Sequence, residues 1–85
     1  MTATKFQRLP QPYIGRLICE LHKESGLSEE EFASYFHVII PTINRWERKQ
    51  VRPSPMAQRL IFSELEKMGD RGKMLFERYQ THALK

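Results

Sequence analysis

The stretch Ser28–Glu47, SEEEFASYFHVIIPTINRWE, constrains the fold of this chain more than any other. Ser28 with Glu31 three residues later is a capping box, in which each residue's side chain bonds the other's backbone N–H. A helix therefore starts at about Ser28. Glu29, Glu30 and Glu31 fall in its first turn, where the helix dipole favours negative charge. Helix chemistry accounts for this acidic run, and it receives no catalytic assignment. Phe32, Ala33 and Phe36 supply the buried side, and the helix ends near His37. A further helix, about 40–49, has Pro41 in its first turn, where a missing N–H costs little. Ile43 and Trp46 are its core residues. The spacing thus predicts two short helices joined by a tight corner.

The flanking segments are helical as well. Ile14, Leu17, Ile18 and Leu21 recur at i, i+3, i+4 and i+7, the pattern of a half-buried helix over about 12–25, and Gly26 suits its stop. Lys49–Pro53 reads as a loop. Ser54 followed by Pro55 opens a fourth helix by the rule of an N-cap and then a proline. Met56, Leu60, Ile61, Leu65 and Met68 are expected on its core side, with Gly69 closing it. Asp70 can cap a fifth helix that runs to about Thr81. No segment has the alternation of a strand. The expected class is all-α, with five helices in a single domain over 1–85.

Charge narrows the function. The chain has 85 residues and a formal net charge of +4. Residues 38–60 contain Arg45, Arg48, Lys49, Arg52 and Arg59 against one acid, Glu47, so the excess is concentrated there. A clustered positive surface suits a polyanionic partner. The N-terminal MTATKFQRLPQPY has no uninterrupted apolar run, and no secretory signal is expected. No stretch approaches the roughly 20 apolar residues of a membrane span. One cysteine, Cys19, excludes an intrachain disulfide and suits a reducing cytoplasm. His22, His37 and His82 lack zinc-ligand spacing. No acid–base pair, phosphate-cradling loop or nucleophile constellation points to an enzyme, and no cofactor is expected.

Leu27, Ser28, Phe32, Ala33, Val38, Pro41, Thr42, Ile43, Arg45, Trp46, Glu47 and the trailing Pro53 together resemble the Cro/C1-type helix-turn-helix family, also called Xre or lambda-repressor-like. The Ala33…Ile43 spacing and the Trp46–Arg48 ending are the most specific elements, and the likeness covers about residues 14–62. The resemblance implies a compact five-helix DNA-binding domain whose third helix enters the major groove of double-stranded DNA. Pro41, Asn44, Arg45 and Arg48 lie at i, i+3, i+4 and i+7, hence on one helix face. Asn suits adenine and Arg suits guanine in bidentate contacts, so Asn44 and Arg45 are expected at base edges and Thr42 at a base or phosphate. Arg48, Lys49 and Arg52 are expected to clamp phosphates and set register. Ile40 and Pro41 complete the expected DNA-facing set. The family also suggests a homodimer formed through the last helix.

Several positions depart from the family pattern. His37 stands at the corner where the family has glycine, and Lys49 replaces a common loop glycine. Ile39 occupies the cap position of the third helix, where a serine-type residue is usual. Glu29 stands where a glutamine often meets a phosphate. The exposed edge Val38–Ile39–Ile40 is open to a second reading, a protein-binding patch on a scaffold that no longer binds DNA. Candidate protein-interface residues are therefore His37 and Ile39, joined by Met74, Phe76 and Tyr79 of the apolar last helix. Glu47 is expected to pair with a basic residue of the first helix, with Arg16 the candidate.

Overall fold

Capping chemistry divides the chain into helices. The computed structural model describes residues 9–83 and shows α1 (Tyr13–Ser25), α2 (Glu29–Tyr35), α3 (Ile40–Glu47), α4 (Pro55–Lys67) and α5 (Asp70–Ala83), with no strand among the described residues. Ser28 accepts from the Glu31 N–H at 3.1 Å, and the Glu31 carboxylate accepts from the Ser28 N–H at 2.9 Å, completing the capping box of α2. Ser54 accepts from the Ala57 N–H at 3.2 Å and caps α4, whose first residue is Pro55. Gly26 ends α1 and Gly69 follows α4, both at positive φ.

One apolar core joins the helices. Ile14, Leu17, Ile18 and Leu21 of α1 lie at its centre, between α3 on one side and α5 on the other. Phe32, Ala33 and Phe36 of the α2 segment, Ile43 and Trp46 of α3, and Ala57, Ile61 and Leu65 of α4 complete it. Burying such side chains is worth about 1.5–3 kcal/mol each. They hold the short α3, which is too short to be helical alone.

Two side chains sit opposite to expectation. Phe76, predicted among the interface residues, is fully buried and meets Phe62 edge-on at 5.7 Å between ring centres. The corresponding correction on α4 is Met56, expected in the core but 65% exposed because the buried face of that helix runs through Ala57, Gln58, Ile61 and Leu65 and leaves Met56 on another side. Gly72 explains how α5 comes close enough to bury Phe76. A Cβ there would collide with the backbone carbonyl of Leu65, so only glycine allows this approach of α5 to α4.

Charged pairs on the outside fasten α5 to α1. Glu20 accepts from Arg78 at 2.8 Å and also from the Tyr79 hydroxyl. Glu24 pairs with Arg71, whose guanidinium holds the Glu24 carboxyl below the usual carboxylate range. Tyr79, another expected interface residue, is thus half-buried and engaged within its own chain. Met74 remains 56% exposed.

Candidate nucleic-acid interface

The geometry of α3 begins with how its two ends are made. At the end of α2, the Val38 N–H bonds the Ala33 carbonyl at 3.0 Å and the His37 N–H bonds the Ser34 carbonyl at 3.0 Å. At the end of α3, the Gln50 N–H bonds the Arg45 carbonyl at 2.9 Å and the Lys49 N–H bonds the Trp46 carbonyl at 3.0 Å. Each set is a Schellman motif, which places one residue in the left-handed region. Those residues are His37, φ 59°, and Lys49, φ 63°, the only non-glycine residues at positive φ among those described. The two positions where the sequence replaces an expected glycine are therefore the two that carry the unusual backbone. The corner and the loop keep their shape without glycine, at a cost of about 1–2 kcal/mol each for an ordinary side chain.

The start of α3 is bare. Ile39 is its N-cap in extended conformation, and no side chain bonds the first N–H groups. Pro41 brings no N–H of its own. Ile39 is 66% exposed, the most exposed of the large apolar side chains described. With Ile40, Pro41, Val38 and His37 it lines an open groove of about 550 Å³, whose α2 wall contributes Glu30, Ala33 and Ser34.

Along α3, burial and exposure separate by face. Ile43 and Trp46 are buried, and Thr42 and Asn44 are half-buried. Pro41, Arg45 and Arg48 are exposed, as are Lys49 and Arg52 in the following loop and Arg59 on α4. Among the described residues, none of these five basic side chains has an acidic partner. Lys67, Arg71 and Arg78 of α4 and α5 are paired, whereas Lys73 of α5 and Arg16 and Lys23 of α1 are exposed without an acidic partner among the described residues; what sets the α3 segment apart is the number of such cations close together.

Glu47, the one acid in the basic segment, is drawn inward. Its carboxylate lies 3.0 Å from Nδ1 of His22, and His22 Nε2 lies 3.1 Å from the Leu27 carbonyl. The partner on α1 is thus His22 rather than Arg16, which is exposed and unpaired among the described residues. The imidazole also stacks on Phe32, 4.4 Å between ring centres and 9° from parallel. Stacking fixes the ring where Glu47 reaches it, six residues further along α1 than Arg16. Cys19, beside it on α1, donates weakly to the Glu47 carbonyl at 3.8 Å. Burial and then the Glu47 charge push its thiol above the ordinary range.

Sequence reasoning missed Gln11 and Gly15. The Gln11 side-chain amide donates to the carbonyls of Trp46 (3.2 Å) and Val51 (2.6 Å), while its oxygen accepts from the Gly15 N–H at 3.0 Å. A Cβ on Gly15 would stand 2.5 Å from the Trp46 carbonyl and 2.9 Å from Lys49 Cγ. The start of α1 therefore abuts the end of α3 and holds the loop that carries Lys49 and Arg52. No local pattern marks these two residues, because their partners are 31 to 40 positions away; the glycine inside an apolar-periodic helix is the sole hint. No protein-family model, curated protein or solved structure matches this chain.

Proposed function

We propose that this chain is a sequence-specific DNA-binding transcriptional regulator of the Cro/C1 helix-turn-helix type, inserting α3 into the major groove. One observation carries the reading: five basic side chains on and after α3 are exposed without acidic partners among the described residues, while the only acid of residues 38–60 is held by His22. A surface left positive in this way attracts phosphates, releases their counterions and orients the helix over the groove. Asn44 and Arg45 read base edges; Arg48, Lys49 and Arg52 set register. Thr42 reaches a base or phosphate from the first turn. The domain acts by occupying its site, without chemistry, as a homodimer with α5 and its exposed Met74 at the contact.

Selection of bound duplexes from a random pool, followed by mobility-shift titration in rising salt, tests this reading. The expected result is an enriched motif whose binding weakens by about 0.9 log units per log unit of salt for each phosphate contacted. Arg45→Ala should relax preference at one position by about 1–3 kcal/mol. Lys49→Ala should weaken all duplexes alike and flatten the salt slope. A pool without enrichment and a salt-insensitive shift would reject the assignment.

A second reading rests on the open groove at the corner and the exposure of Ile39. On it, His37, Ile39 and Ile40 hold a partner protein and DNA is not the ligand. Function that survives neutralisation of both Arg45 and Arg48 but is lost with Ile40→Ser would favour this alternative.

A further inference from the structure

We infer that Ile39 is a specificity-determining residue that reads the 5-methyl group of thymine, so that the recognised site carries a thymine opposite the N-terminal tip of α3. This inference rests on the duplex-binding reading and names what that surface selects. Three successive positions, Ile39, Ile40 and Pro41, offer no side-chain donor or acceptor, and Pro41 lacks a backbone donor too. A phosphate at this tip would find few N–H groups, and the Glu30 carboxylate on the facing wall would repel it. The tip is therefore poorly suited to the DNA backbone and well suited to an apolar group on a base edge. In the major groove that group is the thymine methyl, which cytosine lacks.

Charge places the duplex here rather than elsewhere. Arg45 on α3 and Arg48 at its C-terminal cap follow about one and two turns beyond Pro41, exposed and without acidic partners among the described residues. A helix whose later turns are held by phosphates or guanines brings its first turn against neighbouring bases. The side chain presented there is Ile39, two-thirds exposed and at the helix cap. Asn44 and Arg45 would then read polar edges while Ile39 reads an apolar one at the adjoining step.

The test uses the full chain and its best selected duplex, with each thymine in turn replaced by deoxyuridine, which removes the methyl group and leaves base pairing intact. One substitution is expected to weaken binding about fourfold, the value of one buried methyl-sized group. Ile39→Ser should bind the thymine and deoxyuridine duplexes equally, whereas Arg59→Ala should keep the fourfold difference. Equal binding of all deoxyuridine duplexes by the unaltered protein, or a methyl effect that persists in Ile39→Ser, would overturn the assignment of Ile39 while leaving salt-sensitive duplex binding in place. Failure to select any duplex would instead remove both readings together.

Discussion

At the scale of single residues, the strained positions are the informative ones. His37 and Lys49 each end a helix in the left-handed region, where a Cβ meets the following carbonyl. His37→Gly should raise stability by about 1 kcal/mol, visible as a higher denaturant midpoint with unchanged slope. Lys49→Gly should gain a similar amount but lose duplex affinity, since it also removes a cation. An unchanged or lowered midpoint in His37→Gly would mean that the imidazole makes up for its backbone. Cys19 gives a prediction of opposite kind. Its thiol is raised by burial and by Glu47, so the folded state favours the protonated form. The associated stability is complete below the unfolded-state value and is lost as pH rises through the folded-state value. Alkylation of the native protein at mildly alkaline pH should be slower than that of the unfolded chain, and the denaturation midpoint should fall towards high pH. Equal alkylation rates would contradict this.

At the scale of elements, α5 depends on a glycine contact and a set of ion pairs. Glu20 and Arg78 bridge α1 and α5 at 2.8 Å on a partly exposed surface. A double-mutant cycle at this pair should give about 0.5 kcal/mol of coupling, because solvent screens it. Tyr79→Phe, which removes a hydroxyl bonded to the same Glu20, should cost about 1 kcal/mol in thermal or denaturant unfolding. A coupling near zero with an unchanged Tyr79→Phe midpoint would show that apolar packing alone docks α5. Much of this layout was legible in the sequence, for a local reason: caps and breakers act within four residues. Ser28, Glu31, Ser54 and Pro55 located helix starts, and Gly26 and Gly69 located stops. The i, i+3, i+4 pattern of α1 gave its buried face. What stayed hidden was long-range: that Glu20 would serve two groups of α5, that Gly72 would admit the Leu65 carbonyl, and that Phe76 would point inward while Met56 pointed out. On α4 the large apolar side chains misjudged the face, because the small Ala57 and the polar Gln58 take the buried places in the first turn and Met56 does not.

For the molecule as a whole, positive charge is densest in one segment. The acidic residues Glu20, Glu24 and Glu64 are engaged by α5, by Tyr35 or by Lys67, while Glu30 stands on the α2 wall of the corner groove. The cations Arg45, Arg48, Lys49 and Arg52 gather at the end of α3 and in its loop, without acidic partners among the described residues. The candidate surface was partly readable in advance, since the cluster follows from sequence and the i, i+3, i+4 spacing put Arg45 and Arg48 on one face. The pairing of Glu47 with His22 required the fold. It turns the one carboxylate of the basic segment toward α1 and leaves the arginines as the exposed charges of that segment.

The amide of Gln11 ties the approach to α1 to the Trp46 carbonyl near the end of α3 and to the Val51 carbonyl. Those bonds immobilise the segment bearing Lys49 and Arg52 before any partner arrives, so less freedom is surrendered on association. Gln11→Leu should therefore act at a distance: weaker capture of every duplex through faster release, an unaltered order of preference among sequences, and earlier amide exchange at 49–52. A tether of one side chain would then govern how long a complex lives without having any say in which complex forms.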